Sequence, residues 1–216
     1  MKITIDRAGK RFNFEWILQN INLTFQSNRS YAILGPNGSG KSTLLQLVAG
    51  VITPSAGSVF YSLNESRIDA ENLFSFITMA APYIELIEEF TPYELVSFQK
   101  NFKPLLDGIN ETSVLKIARL EKDADKPIKA FSSGMKQRLK LSMALLADVP
   151  VVLLDEPSTN LDQDGFDWYL DLVKKFSRDR LLILCSNLDR EYQFCDEIID
   201  VMKFKPSAAG TISNIQ

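Results

Sequence analysis

Residues Gly35-Pro36-Asn37-Gly38-Ser39-Gly40-Lys41-Ser42-Thr43 constrain this chain more than any other stretch. They match G-x-x-x-x-G-K-[ST] and lie between a short apolar strand, Tyr31–Leu34, and a helix predicted over Lys41–Ala49. The glycines let consecutive backbone N–H groups turn inward around phosphate oxygens, because no side chain blocks the approach. The helix opening near Lys41 points its positive end at the same place. Lys41 is expected to neutralise the β- and γ-phosphates of a nucleotide, and the Ser42 hydroxyl to ligate magnesium. A strand feeding such a loop and then a helix is the start of an α/β fold.

The later sequence continues that alternation. Val151–Leu154 is wholly apolar, as a central parallel strand covered on both faces should be, and it ends in Asp155 and Glu156. A carboxylate at that point lies at the C-terminal edge of the sheet, where ligands of open α/β sheets bind. Asp155 is therefore expected to reach magnesium, and Glu156 to face the γ-phosphate as the base that orients the attacking water. Helices are predicted over Met135–Ala147 and around Gly165–Phe176, with strands at Ile3–Ile5, Ile21–Phe25, Ser58–Leu63 and Leu181–Cys185. From about Pro82 to Pro127 the pattern turns helical, with Pro92 placed to open one helix and Val114 to Leu120 forming the stripe of another. The charged run Glu121–Lys126 reads as a solvated loop.

Composition narrows the field further. A chain of 216 residues, 45% hydrophobic and 24% charged, is ordinary for a globular protein. Its formal charge of −3 gives no support to nucleic acid, which usually needs a basic face, so nucleic acid is not expected as the main partner, although the total leaves room for a local basic patch. The N-terminal stretch lacks the apolar core of a secretion signal, and runs such as Val149–Leu154 are too short to cross a bilayer. Any membrane contact is thus expected to be indirect. Cys185 and Cys195 read as core residues of a cytoplasmic protein rather than a disulfide framework. There is no histidine, which removes the usual general base and the commonest metal ligand.

Phe131-Ser132-Ser133-Gly134-Met135, shortly before the acidic strand, completes the set. With it the sequence resembles the ATP-binding subunits of ABC transporters, whose signature is written L-S-G-G-Q. Ser132 and Gly134 match; Phe131, Ser133 and Met135 depart from it. The resemblance spans almost the whole chain, and Pro157-Ser158-Thr159-Asn160-Leu161-Asp162 matches the family's D-loop, with Asp162 as its final acid and also a candidate helix cap.

The resemblance implies a P-loop NTPase fold of ABC type: a mixed sheet core flanked by helices, with a small antiparallel β part and a helical lobe. The RecA-like core would take roughly residues 1–81 and 128–216, and the lobe 82–127. It further implies ATP and Mg2+ as ligands, with Ser132 and Gly134 capping the γ-phosphate held by another copy, in a homodimer or heterodimer. Separate transmembrane subunits would be the partners, placing the chain at the inner face of the cell membrane. An aromatic upstream of the glycine loop would stack on adenine; Phe12 is best placed, with Phe14 and Trp16 as alternatives.

Two positions depart from the family. Met79-Ala80-Ala81-Pro82 stands where a glutamine is expected, with Glu85 close enough to substitute. Asn187, after Leu184-Cys185-Ser186, stands where a switch histidine is expected; it can donate a hydrogen bond but carries no charge. An intact Glu156 with these replacements implies an ATPase of slowed turnover. The alternatives are a nucleotide-gated module that scarcely hydrolyses, and a non-transport relative. The short stretch between glycine loop and signature leaves no room for the long coiled-coil insertions of chromosome-maintenance ATPases.

Overall fold

The computed structural model describes residues 1–206. In chain order it runs β1 (Lys2–Phe12), β2 (Glu15–Gln26), β3 (Ser30–Leu34), α1 (Lys41–Val48), β4 (Ala56–Leu63), β5 (Ser66–Arg67), β6 (Ile77–Ala80), α2 (Pro92–Lys100), α3 (Glu111–Ile117), α4 (Ser133–Leu146), β7 (Val151–Asp155), α5 (Gln163–Phe176), β8 (Leu181–Cys185), α6 (Asp189–Tyr192) and β9 (Glu197–Asp200). Antiparallel and parallel strands separate into two sheets, in the orders β2-β1-β4-β5 and β6-β7-β8-β3-β9.

The second sheet is parallel throughout. Its strands β7 and β8 are buried at every position, which explains their unbroken apolar runs. Successive residues feed opposite faces. Leu153 and Ile183 join the core shared with α1 and the antiparallel sheet, alongside Leu44, Leu45, Phe25 and Ile5. Val152, Leu154, Leu182 and Leu184 pack instead against Leu141 and Leu145 of α4 and Trp168, Tyr169 and Leu172 of α5. A third cluster gathers α2, α3 and the other side of α4 through Leu95, Val96, Val114, Leu115, Leu139 and Met143. Helix α4 thus belongs to two cores at once.

Local sequence decides where the helices begin. Thr91 and Glu94 form a reciprocal capping box at α2, with Pro92 in its first turn. Asn110 caps α3, and Asp162 caps α5 through the Gly165 N–H at 2.8 Å. The helix predicted from Met135 starts two residues earlier, at Ser133, because Ser132 caps it. The run Glu121–Lys126 holds one short 3-10 turn, at Glu121–Asp123, with an Asp123–Lys126 ion pair.

The β1–β2 hairpin is longer than its alternating segments predict, because bulges let it continue. Register shifts fall between Ile5 and Arg11, and both Arg7 and Asn20 have positive φ there. Gly57 of β4 lies against that bulge with φ +69°, and a Cβ on it would sit 2.3 Å from the Arg7 carbonyl oxygen. Only glycine fits. Among the described residues no helix is long and apolar enough to cross a membrane.

Candidate functional site

The glycine loop joins β3 to α1 at the C-terminal edge of the parallel sheet. Gly35 has φ +151°, and a Cβ there would meet Val201 Cγ1 at 2.6 Å and Ser39 Oγ at 2.8 Å. Gly40, at φ +102°, precedes α1 and offers no side-chain cap, so the first amides of that helix face outward unpaired by a side chain. Lys41 is buried, and its ammonium folds back to donate to the Gly35 carbonyl at 2.7 Å and the Pro36 carbonyl at 3.3 Å. The ammonium is therefore held over the cradle by weak neutral acceptors, which a phosphate can outbid.

Parallel pairing of β7 with β8 brings Asp155 beside the loop. Asp155 is 1% exposed, and neither of its carboxyl oxygens has a hydrogen-bond partner. Burial raises its carboxyl above the ordinary carboxylate range; the nearby Ser42 hydroxyl acts in the opposite sense. A buried carboxylate without a partner, next to a hydroxyl at a helix start, offers hard oxygen donors of the kind magnesium takes with phosphate oxygens and water, so Asp155 and Ser42 could hold such an ion. The Ser39 hydroxyl is also buried and unpartnered. Among the described residues no group of three or more His, Cys, Asp or Glu could hold a metal, so any ion here depends on the hydroxyl and on the ligand itself.

Glu156 adopts φ +45°, a left-handed conformation rare for a side chain of this size. Its N–H donates to the Cys185 carbonyl at 3.0 Å, and its carbonyl accepts from Thr159 N–H at 3.1 Å. This tight turn holds Glu156 between two clefts. One, of about 280 Å³, is lined by Phe12, Ile17, Asn37, Lys41, Ser42 and Thr43; the other, of about 180 Å³, contains Ser158, Ser186, Asn187 and Glu191. Strained backbone of this kind, costing about 1–3 kcal/mol, persists where surrounding structure enforces it and clusters at functional sites. In either orientation of its amide Asn187 bonds to the glycine loop, to the Asn37 side chain at 2.8 Å or to the Gly35 carbonyl.

Of the three upstream aromatics, Phe12 lines the glycine-loop cleft. Phe14 is 97% exposed in the β1–β2 turn, and Trp16 lies beneath the Arg11 guanidinium. Ser132 and Gly134 are on the surface at the start of α4, outside both clefts of their own chain. Gly134 approaches the 157–162 loop so closely that a Cβ would lie 3.1 Å from the Asn160 carbonyl oxygen. Gln137, buried, donates to the Pro157 carbonyl at 2.7 Å, and Glu191 accepts from the Ser158 N–H at 3.1 Å. The loop after Glu156 is thus held from two elements, α4 and α6. Neither Gln137 nor Glu191 stood out in the sequence, since a single polar residue on a helix carries no sign that it turns inward.

Glu85 is exposed and acts on Lys140 rather than on Asp155. The side chain that does reach Asp155 from that segment is Tyr83, whose hydroxyl lies beside Asp155 and the Gln46 amide.

Comparison with known proteins agrees with this geometry. The family model described as ABC transporter matches residues 18–159. The chain is 29% identical to the lantibiotic transport ATP-binding protein SrtF of Streptococcus pyogenes, across 86% of this chain and 79% of that one. It is 31% identical to the Nod factor export ATP-binding protein I of Rhizobium sp. (strain N33), across 97% and 71%. In fold it is similar to a dimeric ATP-binding cassette solved in a post-hydrolysis state with ADP and phosphate, with TM-score 0.79, 23% identity and coverage of 93% and 95%. It also superposes on part of a bacterial Atm1-family ABC exporter with ATP bound, with TM-score 0.77 and 19% identity, across 93% of this chain and 37% of that one.

Proposed function

The chain belongs to the ABC transporter family, and from that premise we propose that it is the ATP-hydrolysing motor subunit of a transporter, working in pairs at the inner face of a membrane. The observation that carries this reading is the orphaned Asp155 carboxyl beside Ser42 and the glycine loop. A buried carboxylate with no partner destabilises a fold, and it is retained where a ligand completes it.

In this reading Lys41 leaves the Gly35 and Pro36 carbonyls for the β- and γ-phosphates. The loop amides and the start of α1 hold the remaining phosphate oxygens, and Phe12 covers the base. Ser42 and Asp155 hold magnesium, which when bound neutralises phosphate charge. Glu156 orients the attacking water and accepts its proton. Asn187 supplies one hydrogen bond to the γ-phosphate without charge. A well-placed donor is worth on the order of 10²–10³ in rate, so the neutral replacement slows turnover without ending it.

Two surface features support the assembly. Ser132 is exposed and Gly134 half-buried, and both lie outside their own glycine-loop cleft, as a group meant for a second copy must. A groove of about 610 Å³ also runs between the end of α1, β6 and α2, lined by Val51, Phe74, Ile87, Phe98 and Phe102, all exposed. Exposed apolar side chains so gathered mark a protein contact, and we assign the groove to a cytoplasmic segment of the membrane-spanning partner. The test is phosphate release by the chain purified with its membrane partner. The reading requires release to collapse in Glu156→Gln; undiminished release in that variant refutes the role given to Glu156.

A further inference from the structure

The glutamine expected after β6 is missing, yet the junction it would occupy is not empty. Strands β6 and β7 pair in parallel with Ala80 opposite Leu154, so the chain leaves β6 just where β7 reaches Asp155. It leaves in a turn closed by the Ile84 N–H to the Ala81 carbonyl at 3.2 Å, with Pro82 and Tyr83 as its central residues. Proline at the first central position presets the backbone for such a turn, which fixes where the next side chain goes. Tyr83 is 45% exposed as a whole, but its hydroxyl lies near Asp155 and Gln46.

Four polar groups meet there. Ser42 and Gln46 are four residues apart on α1, hence on one face of that helix. The Asp155 carboxyl comes from β7, and the Tyr83 hydroxyl lies beside both Asp155 and the Gln46 amide. The hydroxyl makes only a weak contact, 3.5 Å from Met79 Sδ, while both Asp155 oxygens lack partners. Donor and acceptor are adjacent and neither is committed. The Ala81 carbonyl at the start of the turn also accepts from Lys140 of α4 at 3.4 Å, so the same turn is tied to the helix that enters the third core.

Resting on the nucleotide-binding reading above, we propose that Tyr83 is a positioning residue that replaces the missing amide: its hydroxyl orients Asp155 toward the cation. Partners that orient a metal ligand typically change metal affinity by about 10–100-fold when removed. Tyr83→Phe removes the hydroxyl alone, and Tyr83→Gln supplies an amide at the same place.

The experiment titrates Mg2+ into the purified chain with a fluorescent ATP analogue at fixed concentration, and measures analogue affinity separately in EDTA. For Tyr83→Phe we expect analogue affinity in EDTA within about twofold of the parent, and about tenfold more Mg2+ for half-maximal effect. Tyr83→Gln should recover most of that loss. A Tyr83→Phe titration that overlays the parent overturns the proposal. So does an equal loss with and without Mg2+, which marks Tyr83 as mere lining, and so does a Tyr83→Gln variant as impaired as Tyr83→Phe. If the parent itself shows no Mg2+-dependent binding, the nucleotide reading fails rather than this inference.

Discussion

Replacing Asp155 by asparagine keeps the side-chain shape and removes one charge from a place where the fold gives it nothing. Asp155 is 1% exposed and both its oxygens are unpartnered. A buried polar group left unsatisfied costs about 1–3 kcal/mol, and more when charged. The asparagine amide would also lack partners, so only the charge-dependent part is recovered, about 1–2 kcal/mol. At 150–250 residues each kcal/mol moves the melting midpoint by about 2–4 °C, so the ligand-free variant should melt about 2–8 °C above the parent. The sign reverses with ligand. A ligand at 100 times its dissociation constant stabilises by about 2.7 kcal/mol, and the parent should gain much of that only when Mg2+ accompanies ATP. The variant should gain the same from ATP in Mg2+ as in EDTA. Differential scanning fluorimetry across these four conditions is sufficient. A variant that melts at or below the parent without ligand, or that keeps the full magnesium increment, refutes the account of this carboxylate.

Other expectations concern separate parts of the molecule. Phe12→Ala should weaken binding of a fluorescent ATP analogue by about 1–3 kcal/mol, the range for one base stacked on an aromatic ring, while Phe14→Ala at the exposed hairpin tip should leave it unchanged. Asn187→His should raise the steady-state rate of phosphate release, by up to about 10² if charge at that position limits turnover; Asn187→Ala indistinguishable from the parent would remove Asn187 from the mechanism. Arg180 is buried and donates to the Leu145 and Ala147 carbonyls, at 2.6 and 2.8 Å, tying down the end of α4. Arg180→Met strands both carbonyls and should lower unfolding free energy by about 2–4 kcal/mol in urea titrations.

The parts of the fold legible in the sequence are those whose cause is local. The glycine loop needs conformations that favour glycine, and the acidic strand declares its burial by the unbroken apolar run Val151–Leu154. Caps at Ser132 and Asp162 announce helices that start at the next residue. Strand β9 was hidden for the opposite reason: Glu197–Asp200 is only four residues long and mostly exposed, and it is a strand because β3 pairs with it across the sheet. Strand β6 was hidden likewise, its partner β7 lying more than seventy residues on. Tyr83 follows from that pairing. Nothing in Ala81-Pro82-Tyr83 says the ring will turn toward Asp155 until β6 and β7 are seen side by side. Glu85, nearer in chemistry to the missing glutamine, faces Lys140 instead because the proline turn has already redirected the chain.

Two copies closing over nucleotide is the step on which the motor reading depends, since Ser132 and Gly134 lie outside their own glycine-loop cleft. Sedimentation velocity on Glu156→Gln, which should bind ATP without consuming it, measures that step directly. With Mg2+ and ATP the boundary should shift from monomer to dimer, and return to monomer in EDTA or with Lys41→Ala added. A boundary that stays monomeric at millimolar Mg2+ and ATP, while binding of nucleotide is demonstrated in the same sample, would contradict the account.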